Sequence, residues 1–187
     1  LWPIDGAPLR SAAETIKEKN IPLVVYDRLI PDFVPNAEMT GDQITIGTQA
    51  AKYFNNYFAD QLKTDKVYIL EFQGDNSMAA QERSSSFVDN KDPNIVIAQS
   101  FTTNWQRDVG RQQMETFLSS SKTEDIEKIQ AIYTHDDEPM LGILDAIRAY
   151  NGEAKLNIKV LTGVGAQKAT LDEMQGAKDN DGIDVLS

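Results

Sequence analysis

The chain has 187 residues, of which 41% are hydrophobic and 25% charged, and its formal net charge at pH 7 is −11. This composition is ordinary for a globular protein, and no apolar run approaches the roughly 18 residues that a membrane-spanning helix needs. The negative charge disfavours binding to nucleic-acid backbones. The chain contains no cysteine, which excludes disulfides, thiolate catalysis and cysteine-ligated metals.

Short apolar segments, rich in β-branched and aromatic residues, alternate with longer amphipathic segments along the chain. Their length and composition predict buried parallel strands. The predicted strands cover residues 21–26, 67–72, 95–98, 129–133, 158–161 and 183–186.

The longer segments carry apolar residues at helical spacing. Pro8 and Asp42 stand where a first-turn proline and an N-cap are favoured, and Asn151-Gly152 ends a helix. The alternation of strands and helices predicts an α/β fold with a doubly wound parallel sheet. The predicted helices cover residues 7–20, 42–58, 82–88, 108–118, 138–150 and 168–175.

Polar residues follow the predicted strands, at the edge where doubly wound sheets bind ligands. Arg83 and Trp105 come a little further along the chain after two of these strands. Carboxylates accept hydrogen bonds from hydroxyls, arginine donates several, and an indole covers the apolar face of a sugar ring. The set favours a neutral polyhydroxylated ligand and contains no evident nucleophile–base pair. Its members directly after strands are Asp27, Arg28, Gln73, Gly74, Asp75, Gln99, Ser100, His135, Asp136, Asp137, Gly163, Val164 and Gly165.

Several of these residues also have a purely structural interpretation. Asp27 and Arg28 suit a surface ion pair at a strand end. Arg83 suits a solvated helix position. Trp105 suits a core side chain, although its polar neighbours Asn104 and Gln106 indicate a chain that is leaving the core.

The acidic pair Asp136-Asp137 suits a helix N-cap with dipole support, which leaves one of the two carboxylates to face a ligand. A metal site or an acid–base pair needs a third converging carboxylate, and the sequence shows none at a recognisable spacing. His135 is the single histidine, for which a structural or rim position is favoured. The Gly163-x-Gly165 pair lacks the third glycine of a dinucleotide-binding loop.

Four stretches of the chain carry a more specific resemblance: VVYDRLI, EFQGDNSMAAQERSSSF, IYTHDDEPMLGILDAI and LTGVGAQKATLDEM. In this order they resemble the type I periplasmic sugar-binding proteins, such as the ribose, galactose/galactofuranose and xylose binders. The resemblance implies the periplasmic-binding-protein-like I fold. Residues 1–40 then correspond to the tail of a partial first lobe, and residues 41–187 to a nearly complete second lobe, as in a truncated form of a longer protein.

The resemblance also implies a sugar site. Asp27 and Arg28 match the first lobe's Asp-Arg pair, which hydrogen-bonds sugar hydroxyls. Arg83 matches the arginine of an RERG-like segment, and Trp105 matches the aromatic residue that stacks on the sugar ring. Asp136 completes the set from the second lobe. The resemblance implies no metal and no organic cofactor.

A few positions depart from the family's pattern. Asp136 stands where the family usually has asparagine, and the order Pro139-Met140 is unusual. Gly165 stands where many relatives place a sugar-binding aspartate. These departures bear on which sugar is bound rather than on the class of ligand.

The leading hypothesis is a sugar-binding component of an ABC transporter, periplasmic or extracellular. It would close two lobes over one monosaccharide and deliver it to a membrane permease. In this hypothesis the protein is not an enzyme and does not bind nucleic acid, and lipid anchoring of a full-length parent stays open. The alternatives are the effector-binding core of a LacI-type regulator and a sugar sensor for a membrane histidine kinase. Residues 1–40 are expected to self-associate or to pack loosely, because they hold a helix and a strand without a full sheet.

Overall fold

The computed structural model describes residues 1–180 and 182–187 and divides the chain into two compact units, Leu1–Gln43 and Ile44–Ser187. Among the residues described, no helix combines the length and the hydropathy that crossing a membrane requires. The helices are α1 (Arg10–Glu18), α2 (Gln43–Tyr57), α3 (Met78–Asn90), α4 (Arg107–Ser120), α5 (Thr123–Glu127), α6 (Asp137–Ala149) and α7 (Lys168–Asn180). The strands are β1 (Val24–Tyr26), β2 (Ala37–Met39), β3 (Val67–Gln73), β4 (Ile95–Thr102), β5 (Ile129–Thr134), β6 (Val160–Thr162) and β7 (Asp184–Leu186).

The short unit has a small core on one side of a two-stranded parallel sheet, which pairs β1 with β2. Leu23 and Val25 are buried against Ala13 of α1 and against Ile30 and Phe33 of the following loop. The assignment of this segment to the tail of a larger lobe stays a prediction.

The opposite face of the β1–β2 sheet is apolar and open. Successive residues of a strand point to opposite faces, so Val24 and Tyr26 point away from the core that holds Val25. Val24, Tyr26 and Met39 are exposed by 47%, 49% and 59%. Trp2 packs edge-on against Tyr26, with ring centroids 5.4 Å apart. The short unit therefore buries only one face of its sheet.

The long unit contains a five-stranded parallel sheet in the order β4-β3-β5-β6-β7. Because β3 is central, its side chains alternate between two cores. Ile69 lies in a cluster with Phe54 of α2 and Phe87 of α3, and Leu70 lies in a cluster with Met114 of α4 and Met140 of α6. Helices thus cover both faces of the sheet, which is the doubly wound arrangement predicted from the sequence.

The strand order reverses between β3 and β5. From β3 the chain first moves outward to β4, and then crosses back to β5 on the other side of β3. In sheets of this order the loops after the two central strands separate and leave a crevice, where ligands bind. The carboxyl ends of β3 and β5 are therefore the first place to look for a functional site.

Two strand boundaries differ from the prediction in ways that matter for the site. β4 continues through Thr102, so Gln99 and Ser100, which were expected after the strand, lie within it. The extension coincides with a register shift between Ile69 and Leu70 of β3, an irregularity that hydrophobic patterning does not reveal. β1 begins only at Val24.

The helices also differ in detail. α3 begins at Met78, earlier than predicted, because the run after Ser77 is helix-forming even where it is not amphipathic. The short elements β2 and α5 were not predicted, since three to five residues carry too little periodicity. Tyr57 at the end of α2 is 37% exposed, and its hydroxyl donates to Asp184 Oδ2 at 2.9 Å.

Candidate functional site

The carboxyl ends of β3 and β5 turn polar on the side of the sheet that α3 covers. Ile69 faces the apolar cluster on that side, and Glu71 and Gln73 follow it at two-residue steps. On β5, Tyr133 lies in the same cluster, and His135 follows it two residues later. The alternation that builds the core therefore also delivers polar side chains to the sheet edge.

Glu71 is a carboxylate that is only 2% exposed. Its Oε1 accepts the Ser84 hydroxyl at 2.7 Å, and its Oε2 accepts the Ser100 hydroxyl at 2.7 Å and the Gln73 amide at 2.9 Å. Nε2 of His135 lies 3.4 Å from Oε1. Burial alone would raise the pKa of Glu71. The nearby imidazole of His135 and the hydrogen bonds from Ser84 and Ser100 outweigh that effect, so the pKa lies below its ordinary value and the carboxylate stays ionised.

His135 is fully buried beside this carboxylate. Its Nδ1 accepts the backbone N–H of Gly74 at 3.4 Å. Because Nδ1 accepts, the proton of the neutral imidazole lies on Nε2, which faces Glu71. Burial lowers the pKa of His135 and the charge of Arg83 lowers it further, against the raising effect of Glu71. The imidazole is therefore neutral at pH 7. A rim position, one of the two expected from the sequence, is wrong.

Trp105 is positioned by a turn between β4 and α4. Asn104 and Trp105 adopt φ angles of 52° and 62°, a region that residues other than glycine rarely enter. Two backbone bonds hold the turn to the end of β3, from Thr103 N–H to the Gln73 carbonyl at 2.8 Å and from Asn104 N–H to the Gly74 carbonyl at 2.7 Å. A Cβ at position 74 would overlap the indole. The Trp105 ring therefore lies directly on the Gly74 backbone.

Arg83 extends from α3 to the same place. Its guanidinium carbon lies 5.4 Å from the centroid of the Trp105 ring, within cation–π distance. Its Nη1 donates to the backbone carbonyl of His135. The structure thus brings together Arg83 and Trp105, two residues that the sequence placed in the site from separate segments.

Asp136 is the N-cap of α6, where its Oδ1 accepts the Glu138 N–H at 3.0 Å. Burial and the neighbouring Asp137 raise the pKa of Asp136, while the Glu138 amide and the charge of Arg83 oppose them. The N-cap interpretation is confirmed for Asp136. Asp137 does not face solvent, because it is fully buried with its Oδ2 accepting the Gln167 N–H at 2.8 Å.

Gly165 shows why this chain has no acidic side chain after β6. Its φ of 136° would strain any other residue. A Cβ there would also stand 3.3 Å from Oδ2 of Asp137. An aspartate at position 165 would bring a second carboxylate toward a buried one, an arrangement that like-charge repulsion disfavours.

Asp27 and Arg28 belong to the short unit, directly after β1. The Oδ2 of Asp27 accepts the Trp2 indole N–H at 2.9 Å, and its carbonyl accepts the Thr40 hydroxyl at 2.6 Å. Nη1 of Arg28 donates to the Ile4 carbonyl. Both side chains thus have partners within their own unit, and their role toward a ligand stays a prediction.

Sequence reasoning missed the buried cluster around Glu71. The available signal was an acidic residue inside the apolar run of β3, which a buried strand tolerates only with partners. A cavity of about 370 Å³ opens on the same side of the sheet beside α3. It is lined by polar groups that the sequence-based list only partly contains: Gln73, Asp75, Asn76, Gln81, Ser84, Ser85 and Asp89, with Ala80 and Val88.

Among the side chains described, those of residues 1–176 and 182–187, no group of three histidine or acidic residues converges in the manner of a metal site. The charged side chains Glu71 and Arg83 at the sheet edge are held by hydrogen bonds. This arrangement holds hydrogen-bonding groups of the protein in fixed directions beside the aromatic ring of Trp105.

Comparison with known proteins places the chain in a family. Residues 1–183 match the family described as periplasmic binding protein domain, and the chain belongs to that family. A curated relative, the ribose import binding protein RbsB of Bacillus subtilis, is 29% identical over 148 residues, which are 79% of this chain and 45% of the relative. The match confirms the predicted family, which is one of binding proteins rather than enzymes.

Solved structures agree with the fold. A Mycobacterium smegmatis protein crystallised in complex with β-D-fucofuranose has a TM-score of 0.78 and 25% identity, over 97% of this chain and 58% of that chain. The fructose-binding periplasmic domain of a hybrid two-component system has a TM-score of 0.76 and 23% identity, over 92% of this chain and 55% of that chain. The predicted fold class is confirmed. The chain spans less than half the length of the curated relative.

Proposed function

We propose that this protein binds a monosaccharide and delivers it to the membrane permease of an ABC transporter. The observation that carries the proposal is the contact between Arg83 and Trp105 at the β3–β5 switch point. A guanidinium donates several hydrogen bonds in fixed directions to hydroxyl oxygens, and an indole covers the apolar C–H face of a sugar ring. The pair therefore offers both kinds of contact that a pyranose or furanose requires.

The names of the relatives support a sugar as the ligand. The Bacillus subtilis relative is named for ribose import, and the two solved relatives are described with fucofuranose and fructose. Import by such a protein requires a membrane partner, which in this proposal is the permease. The proposal places the protein in the periplasm or outside the cell, with or without a lipid anchor on a longer parent.

Further sugar contacts belong to the proposal as well. Asp136 is half-buried at the same edge of the sheet and carries carboxylate oxygens that accept hydrogen bonds from hydroxyls. Asp27 and Arg28 of the short unit are proposed as additional donors and acceptors. The proposed reaction cycle consists of binding and release, without a chemical step.

A sensor role is the second candidate, and one observation favours it. The fructose-binding relative is the periplasmic domain of a hybrid two-component system, so the same fold serves a signalling protein. Transport measurements separate the two candidates. The sugar-loaded protein is expected to stimulate ATP-dependent uptake by its ABC permease in proteoliposomes, and a sensor domain would not.

The proposed ligand class is tested by thermal unfolding of the chain with D-ribose, L-arabinose, D-galactose, D-fructose and myo-inositol. A ligand that binds the folded state raises the melting temperature by about 5 °C or more at about 100-fold above its Kd. We expect one sugar of the panel to do so. A melting temperature that no sugar of the panel changes would overturn the proposal.

Matched variants localise the binding. Arg83→Ala and Trp105→Ala are expected to remove the sugar-induced shift. Arg111→Ala, which removes an exposed arginine of α4 that pairs with Glu115, is expected to keep it. Equal losses from Arg83→Ala and Arg111→Ala would show that the sugar binds elsewhere.

Self-association through residues 1–40 stays a prediction. Sedimentation velocity over a range of protein concentrations tests it, because the fraction of associated protein rises with concentration. A single monomeric species at all concentrations would contradict it.

A further inference from the structure

His135 contacts Arg83 directly, and it contacts Gly74, the residue on which Trp105 lies. It is not among the proposed sugar contacts. Its ring accepts the Gly74 N–H through Nδ1, and the Trp105 indole lies on Gly74. Its backbone carbonyl accepts the guanidinium of Arg83. The side chain and the main chain of one residue thus reach the two groups that define the candidate site.

We propose that His135 is a positioning residue of this site, which in its Nε2–H tautomer fixes the Gly74 backbone beneath Trp105. The inference rests on the proposed function only in so far as Trp105 and Arg83 touch the sugar. Its structural content concerns the protein alone. His135 itself is fully buried, so it acts through the groups that it holds.

The first step of the argument is the need of Gly74 for an acceptor. Gly74 is buried, and a buried backbone N–H without a partner costs free energy comparable to a lost hydrogen bond. The carbonyl of the same residue holds the N–H of Asn104 at 2.7 Å. Moving Gly74 to find another acceptor would therefore move the turn that carries Trp105.

The second step is the orientation of the imidazole. Glu71 lies 3.4 Å from Nε2 and is itself held by hydroxyl donors from Ser84 and Ser100. A carboxylate on the Nε2 side favours the tautomer with its proton there, which leaves Nδ1 as the acceptor for Gly74. Tyr133, whose ring centroid lies 5.1 Å from that of His135, packs against the imidazole from β5.

The third step is that the two ring nitrogens have different partners, so their roles can be separated by substitution. An asparagine at position 135 places an amide oxygen where Nδ1 stands, and that oxygen can accept the Gly74 N–H. A glutamine places its amide nearer to Nε2 and Glu71. Positioning through Gly74 therefore predicts that His135→Asn preserves the site and His135→Gln does not.

The tautomer is measured directly on the unmodified chain. His135 is the only histidine, so a long-range proton–nitrogen correlation spectrum shows one imidazole. At neutral pH we expect the neutral Nε2–H tautomer, with an unprotonated Nδ1. A ring protonated on Nδ1, whether neutral or doubly protonated, would overturn the proposal without any variant being made.

The effect on Trp105 is measured in a Trp2→Phe background, where Trp105 is the only indole. Acrylamide quenching of the Trp105 fluorescence in His135→Asn is expected to be close to that of the Trp2→Phe protein with His135 intact. In His135→Gln the quenching is expected to be stronger. A merely structural role of His135 predicts equal changes in the two amides, and equal quenching would contradict the proposal. If neither variant folds, the tautomer decides.

Sugar affinity is compared with Trp2 retained, because Trp2 contacts Asp27. D-ribose is the probe. The Kd is expected to rise about tenfold in His135→Gln, as for one lost hydrogen bond to a positioned group, and to change little in His135→Asn. If D-ribose does not bind the unsubstituted chain, that result counts against ribose as the ligand. The quenching comparison then still decides the role of His135.

Discussion

The two compact units of this chain differ in what their sheets bury. The short unit covers one face of a two-stranded sheet, and among the residues described it buries no ionisable side chain. The long unit covers both faces of a five-stranded sheet, and among the residues described it buries four such side chains at one end of it, Glu71, Tyr133, His135 and Asp137.

The difference shows which kind of framework can bury a charged side chain. The buried carboxylate of Glu71 is stabilised by several converging donors, which are themselves fixed by the surrounding framework. In the long unit, β3, β4 and α3 each supply one donor or more to Glu71. A single helix on a short sheet offers no such convergence, so the candidate site is built at the two-sided sheet.

The largest expected effect that tests this comparison is in the apolar cores. Phe87 is stacked on Tyr133 with centroids 4.3 Å apart and is fully buried. Phe87→Ala is expected to cost about 4 kcal/mol, because the rigid surroundings leave a cavity. Phe33→Ala in the short unit is expected to cost about 2 kcal/mol, close to the transfer value alone, because its small core can collapse. Urea denaturation measures both.

Each unit carries one tryptophan, Trp2 or Trp105, so variants with a single tryptophan report on the units separately. We expect Phe87→Ala to lower the urea midpoint reported by Trp105. Equal losses from Phe87→Ala and Phe33→Ala would contradict the difference between the cores.

The second expected effect is a loss of stability in acid that belongs to the long unit. The folded-state pKa of His135 is lowered from its ordinary value of 6.5, chiefly by burial, so the unfolded chain binds a proton more readily. The contribution of neutral His135 to the free energy of unfolding is therefore fully present above about pH 6.5. It is lost as the pH drops toward the folded-state pKa of His135. Glu71, whose pKa is also lowered from its ordinary value of 4.5, extends the loss below that pH.

Equilibrium unfolding between pH 4 and pH 8, followed through Trp105, measures this dependence. His135→Asn is the matched control, and it is expected to flatten the profile between the two pKa values of His135. An equally steep profile in His135→Asn would show that other groups cause the loss.

The smallest expected effect distinguishes the two faces of the β1–β2 sheet. Val25→Thr places a hydroxyl in the buried core and is expected to cost about 1 to 3 kcal/mol. Met39→Thr changes the exposed face and is expected to stay within about 0.5 kcal/mol. Denaturation followed through Trp2 measures the pair. A large loss in Met39→Thr would show that this face is covered in solution.

Much of the architecture could be predicted from local patterns. The runs that became β3 and β5 are short, apolar and β-branched, and they begin at Val67 and Ile129 as predicted. Arg83 and Trp105 were named from a resemblance, and the structure brings them together. The lengths of β4 and α3 were not predictable, because a register shift and the start of a non-amphipathic turn leave no periodic trace.

The sequence by itself determined the class of fold, since alternating short apolar strands and amphipathic helices bury their apolar faces when the helices cover both sides of a doubly wound sheet. It also determined which kinds of side chain reach the strand ends. Only the tertiary structure decided that Glu71 is held by Ser84 and Ser100 and that the His135 ring supports Gly74. These contacts join residues distant in the chain, and a hydrogen bond depends on positions in space that no local propensity encodes.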